Sequence, residues 1–286
     1  MRPAAGWLAR RLMERGSDAV TAIAGDRSAV PPRRLRARVG APGVTDYIEG
    51  GRAAALALDA ALAPRSFGGF SAVLDFGCGP GRVIDHVADL SDRAPQPLGV
   101  EVPGPSGGPP RLVGVDVDAE SIAWANAHAR GAAFEATSAR PPLPFADREF
   151  ELIYSISVLS HLDPVAQDTW LAELVRILIP GGVALVSTHG PSAYAAFASG
   201  EVRTAWCDPQ AFRAHESLRS DDILSVPYRQ SRWSRGDLPG VEEGYGLTFH
   251  GPGYIRAHWS RFLDVEAILP RAISGWQDLV LASRPG

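Results

Sequence analysis

Val73-Leu-Asp75-Phe-Gly77-Cys78-Gly79-Pro-Gly81-Arg82 is the stretch that decides the fold. From Ser71 to Gly77 the chain is apolar except at Asp75 and ends in glycines, the pattern of a buried strand running into a tight turn. Arg82 to Leu90 follows with Val83, Ile84, Val87 and Leu90 at helical spacing. Working outward, further strands are expected at Leu112–Asp116, Ala132–Thr137, Phe150–Ile156, Val183–Ser187, Val265–Leu269 and Leu279–Ala282. Between them lie helices: Ala119–Arg130, capped by Asp118; one opening at Asp163-Pro164 and stopped by Pro180-Gly181-Gly182; and Tyr254–Phe262. Alternation of this kind implies right-handed crossovers and a doubly wound, mainly parallel α/β sheet. Upstream, Ala4–Glu14 and Gly51–Leu62 read as helices, so residues 1–66 are expected to form a helical cap on a domain spanning 67–286. Residues 91–110 read as a Pro/Gly-rich surface loop, and 191–250 as a polar and aromatic insertion, either a packed surface insertion or a lid over substrate.

In an open α/β sheet, ligands sit beyond the carboxyl ends of the strands. The loop at 75–82 is such a place, and its glycines let backbone approach a ligand closely. The dinucleotide fingerprint G-x-G-x-x-G fails here, because Arg82 stands at the sixth position. What remains is a carboxylate, Asp75, just before G-x-G-x-G. That carboxylate repels a pyrophosphate and suits a cation. S-adenosylmethionine (SAM) carries an ammonium and a sulfonium and no phosphate. Asp116 closes the next strand, where a carboxylate can accept hydrogen bonds from both ribose hydroxyls.

Residues 73–82 and Gly114-Val-Asp-Val-Asp118 resemble the first two motifs of the class I SAM-dependent methyltransferases. Pro142–Phe145 with Phe150–Tyr154, and Glu173–Gly182, resemble the stretches around that family's fourth and fifth strands. The resemblance covers roughly 70–190 and implies a Rossmann-like seven-stranded sheet of order 3-2-1-4-5-7-6 with the last strand antiparallel. It further implies that Asp75 holds the methionine ammonium and that Gly77, Gly79 and Gly81 line the methionine and ribose. Cys78 packs against the cofactor, Asp116 binds the ribose hydroxyls, and Val117 lies against the adenine. Thr137 or Ser138 contacts the adenine edge, Ser155 sits near the methyl donor, and Tyr47 and Gly51 close over the cofactor. Glu151 stands where many members have Asp, and Thr137-Ser138 where many have Asp or Asn.

A methyltransferase must align a nucleophile behind the methyl group, and a base helps where that nucleophile is a hydroxyl. The candidates for acid–base work are His161, His189 and His250. Cys78 and Cys207 form no pair with redox or zinc spacing, and no metal site is expected. All 28 basic residues are arginines, yet the net charge is −4. That acidic balance disfavours nucleic acid as partner, and the run Arg33, Arg34, Arg36 and Arg38 reads as a solvated face. No apolar stretch is long enough to span a bilayer, no signal peptide is evident, and a cytoplasmic monomer or homodimer is expected. The expected function is SAM-dependent methylation of a small molecule in biosynthesis, on a hydroxyl of a secondary metabolite or glycan, releasing S-adenosylhomocysteine. The alternatives are methylation of a protein or peptide side chain, and a SAM-binding regulator without catalysis.

Overall fold

The computed structural model describes residues 30–91, 109–128, 131–204, 206–213, 217–229 and 245–286. The helix expected at Ala4–Glu14 and most of the loop expected at 91–110 lie outside the described residues. The described residues begin with α1 (Arg33–Arg38) and α2 (Val44–Ala61). The alternating part follows: β1 (Ala72–Phe76), α3 (Ile84–Ser91), β2 (Arg111–Asp116), α4 (Ala119–His128), β3 (Ala132–Ala136), β4 (Phe150–Ser155), α5 (Pro164–Ile177) and β5 (Leu178–Thr188). Then come α6 (Pro191–Ser199), β6 (Ile223–Pro227), β7 (Gly246–His250), α7 (Pro252–His258), β8 (Asp264–Ile273) and β9 (Gln277–Ser283).

Seven strands form one sheet in the order β3-β2-β1-β4-β5-β9-β8. β1 pairs in parallel with β2 and β4, and β9 runs antiparallel to both β5 and β8. This is the expected order, with β8 and β9 in the places of the sixth and seventh strands. β6 and β7 make a separate antiparallel ribbon within the insertion.

Side-chain alternation along the strands builds a core on each face of the sheet. Leu74, Phe76, Ile153, Ala184, Val186 and Val280 pack with α5 and Trp259. Val73, Leu152, Tyr154, Leu185 and Leu279 pack on the other face with Leu58 of α2 and Ile84 and Val87 of α3. By the same alternation Asp75 shares the face of Tyr154, which matters for the site below.

Two local expectations need adjustment. α2 starts at Val44, not Gly51, and runs through Gly50 and Gly51. Glycine weakens a helix interior by about 1 kcal/mol, but here it admits the next layer: a Cβ on Gly51 would lie 2.1 Å from the Arg82 carbonyl oxygen. α5 is capped by Asp163, whose carboxylate accepts Ala166 N–H at 2.8 Å, with Pro164 in the first turn. It ends at Ile177, before Pro180-Gly181-Gly182, and those residues bulge within β5 instead of separating helix from strand. Arg284 and the glycine pair exchange backbone hydrogen bonds there.

Candidate functional site

β1 delivers Asp75 to the carboxyl edge of the sheet, and the glycine loop then turns back under β2. The Gly77 and Cys78 N–H groups both donate to the Val115 carbonyl, at 2.9 and 3.0 Å. Gly77 and Gly79 take φ of +85° and +53°, a region that favours glycine. The space is equally restrictive: a Cβ on Gly77 would lie 2.1 Å from Val158 Cγ2, and one on Gly79 2.6 Å from Val39 Cγ1. The loop is therefore pressed between the 158 turn and the end of α1.

Asp116, at the tip of β2, accepts from the Gly79 N–H (2.7 Å) and the Asp118 N–H (2.8 Å). Burial raises its pKa against those donated bonds. Asp75 is buried deeper still. Tyr154 Oη donates to it at 3.0 Å, and no cationic side chain among the described residues pairs with it. Burial pushes its carboxyl up to about 8, opposed by the Tyr154 bond and helped by the Asp116 charge.

Around this edge lies a cavity of about 520 Å³, within the roughly 300–1,000 Å³ usual for small-molecule sites. Asp75, Gly77, Cys78, Gly79, Asp116, Val117, Thr137 and Ser138 line one end. His161, Trp170, Phe197, Trp206, Tyr228 and Tyr245 line the other, and Ser157 and Val158 stand among the lining residues from the turn after β4. The Ser157 backbone has φ +60°, and its N–H is held by Ser187 Oγ at 2.8 Å.

The remaining candidates lie behind this lining. Tyr47 Oη donates to the Pro80 carbonyl at 3.2 Å, bracing the loop from outside. Gly51 packs on Arg82, and Gly81 faces Phe134 and Ile84. Ser155 is fully buried and donates to the Phe76 carbonyl at 2.9 Å, tying β4 to β1. Ser138 uses its hydroxyl locally, accepting from Arg140 N–H and donating to the Arg140 carbonyl.

Of the three histidines, His161 alone lines the cavity. It sits at the end of a 3-10 turn, Leu159–His161. Burial lowers its pKa, against a bond to the Gly246 carbonyl, which favours the neutral ring. His189 is buried among His161, Phe249 and Trp276, and burial lowers its pKa well below the ordinary value. His250 is buried with Nε2 3.0 Å from Gln167 Oε1. Gln167 in turn donates to the Leu159 and Leu162 carbonyls. An amide oxygen only accepts, so His250 donates, and the pair anchors α5 to the turn that carries His161.

Sequence reasoning missed the contribution of α1. Ala37, Arg38, Val39 and Gly40 all line the cavity. Arg38 is bonded to both Asp118 carboxylate oxygens (3.1 and 2.8 Å) and lies 2.9 Å from Glu120, while Arg34 also pairs with Glu120. Arg36 is buried. Two arginines of the run, Arg34 and Arg38, therefore clamp the start of α4, while Arg33 is exposed, as expected of a solvated face. The clamp's partners stand some 80 residues away, so no local pattern reveals it. Ser121, which donates to Asp118 at 2.7 Å within the first turn of α4, also lines the cavity. Among the described residues no cluster of metal-ligating side chains occurs, and no helix is long and apolar enough to cross a membrane.

Residues 74–186 match a family model described as a methyltransferase domain. A probable SAM-dependent methyltransferase of Mycolicibacterium smegmatis is 32% identical over 117 residues, which are 41% of this chain and 37% of that protein. The match thus spans well under half of the relative's length. Among solved structures, a SAM-dependent methyltransferase from Mesorhizobium loti is similar with a TM-score of 0.50 at 19% identity, over 81% of this chain and 98% of that one. The glycopeptide N-methyltransferase MtfA, solved in complex with SAM, aligns with a TM-score of 0.50 at 16% identity over 82% and 94%. At these identities the two structures support the fold.

Proposed function

We propose that this protein, whose residues 74–186 match a family model described as a methyltransferase domain, transfers the methyl group of SAM to a hydroxyl of a small molecule. The observation that carries the reading is the single cavity with two chemically different ends. One end presents the buried Asp75, the half-buried Asp116 and a glycine loop; the other is aromatic and holds His161.

The residues present fit SAM. Asp75 is a buried carboxylate without a cationic partner, which an ammonium satisfies. Gly77 and Gly79 keep backbone, with no side chain, in the lining of the cavity. Asp116 would accept from the ribose, and Val117 and Thr137 would flank the adenine. Bound SAM supplies a methyl group already activated by the sulfonium charge. The chain's own task is then to align the acceptor and exclude water, worth roughly 7–11 kcal/mol when orientation is good. Neutral His161 at the aromatic end would take the acceptor's proton, worth about 10²–10⁴-fold.

The small-molecule reading draws support from the arginine clamp. Arg34 and Arg38 are engaged with Asp118 and Glu120 and are not displayed for phosphates, which disfavours nucleic acid as substrate.

Calorimetric titration of SAM, with NADH as control and the Asp116→Ala variant beside it, tests the cofactor. Micromolar SAM binding, sharply weakened in the variant and absent for NADH, is the expected result. No heat and no rise in melting temperature with SAM would overturn the proposal.

A further inference from the structure

Tyr228 comes from the insertion, one residue beyond β6, yet its hydroxyl lies 2.7 Å from His161 Nδ1. The same nitrogen is 3.1 Å from the Gly246 carbonyl oxygen. The arrangement is built firmly. Tyr228 N–H donates to the Tyr245 carbonyl. Tyr245 bridges to Leu162, and Thr248 Oγ1 donates to the Leu162 carbonyl at 2.6 Å. The β6–β7 ribbon is thereby fastened to the turn that presents His161.

A carbonyl oxygen cannot donate, so the contact with Gly246 requires the proton on Nδ1. Nε2 then carries the lone pair. Two oxygens, one backbone and one phenolic, surround the Nδ1–H. This is the place a carboxylate occupies in a Ser-His-Asp triad, filled here by neutral acceptors. The Gly246 carbonyl fixes the tautomer, and both oxygens stabilise the imidazolium that forms when Nε2 gains a proton. Trp206 packs edge-on against Tyr228 at 5.4 Å. With Trp170, Phe197 and Tyr245 it gives the cavity flat aromatic walls.

We propose that Tyr228 is a positioning residue for a His161 base, and that the acceptor is a planar phenol whose ring lies among these aromatic side chains. The inference rests on the methyltransferase reading above. In the step, the phenol O–H bond breaks and an N–H bond forms at His161 Nε2. The phenol oxygen gains the methyl group as the S–CH₃ bond breaks. The sulfonium charge ends on the imidazolium, and neutral S-adenosylhomocysteine leaves. A phenol suits a weak neutral base, because its proton (ordinary pKa near 10) is far easier to remove than an alkanol's.

Two measurements test this. The first is ¹⁵N NMR of histidine-labelled protein, with His161 assigned through His161→Gln. The Nδ1–H tautomer, set by the Gly246 carbonyl, is expected in the wild type and in Tyr228→Phe, with the His161 imidazolium less stable in the variant. An Nε2–H tautomer in the wild type, or a His161 pKa unchanged in the variant, overturns the pairing. The second uses methyl-tritiated SAM with catechol, 1-naphthol and caffeate against cyclohexanol and benzylamine. Methylation of the phenols alone is expected, with kcat in Tyr228→Phe lower by about 10- to 100-fold, the value of hydrogen bonds to a charged group, and SAM affinity retained. Turnover of the amine or the alcohol, or of none of the phenols, overturns the acceptor class. Loss of SAM binding in the wild type would instead overturn the methyltransferase reading itself, so the two failures are distinguishable.

Discussion

Binding of SAM is expected to expel a proton from Asp75. The carboxyl of the ligand-free protein is pushed up to about 8 by burial, so at pH 7 it holds about 0.9 of a proton. An ammonium placed against it favours the carboxylate and draws the pKa back down. Titration at pH 7 in phosphate and in Tris, whose ionisation enthalpies differ, therefore reports release of up to about 0.9 proton. The free-protein carboxylate fraction rises about ninefold between pH 6 and pH 7, and affinity is expected to rise with it. Over that range an α-amino group, with its ordinary pKa near 7.7–8.0, stays mostly charged, so the trend belongs to the protein. The sign for stability is opposite. A carboxyl with a raised folded pKa favours the fold fully below pH 4, and that contribution is lost as pH rises through about 8. In Asp75→Asn both the proton release and the pH-dependent affinity should vanish. Zero proton release in the wild type, or affinity that falls from pH 6 to 7, would refute the assignment of the ammonium to Asp75.

Two further outcomes follow from the same contacts. Arg38→Ala removes the bond from α1 to Asp118 and should weaken SAM binding by about 10-fold or more; the wild-type affinity should also fall more steeply with salt than the variant's, because screening weakens only an ion pair that exists. His250 is held neutral, its pKa lowered to about 3 by burial, so its stabilising contribution is present above the ordinary pKa of 6.5 and is lost as pH falls below it. By pH 5 the loss approaches about 2 kcal/mol, with His189 acting in the same direction; thermal melts of His250→Gln from pH 7 to 5 should show a flatter acid limb than the wild type.

The order of legibility follows the range of the interactions. β1, its glycine loop and Asp116 could be read because strand, turn and helix are local patterns, each specified within a few residues. α1 could not, since Arg34 and Arg38 find their carboxylates on α4, far along the chain. The early start of α2 was hidden because Gly50 and Gly51 look like a helix boundary, and only the Arg82 backbone against them explains their place inside it. The β6–β7 ribbon gave no alternation because every residue of β7 is buried, between the His161 turn on one side and the aromatic cluster of Tyr194 and Phe212 on the other.

The same distinction separates the two ends of the cavity. The cofactor end is built from strand tips of the sheet, so the register β1–β2, with Asp75 opposite Gly114, places its carboxylates wherever this sheet forms. The acceptor end is assembled from the turn after β4 and from an insertion whose contacts cross 67 residues between Tyr228 and His161. A change in the insertion can therefore remodel the acceptor wall while leaving the Asp75–Asp116 end intact. The contacts of His161 Nδ1 are the point where the two meet: the insertion supplies the Gly246 carbonyl that sets the tautomer and the Tyr228 hydroxyl beside it, and the sheet-borne turn supplies the ring. Substrate choice and proton removal are thus coupled through the contacts of one nitrogen, and an insertion that changed the acceptor without keeping an oxygen near His161 Nδ1 would lose the base along with the old substrate.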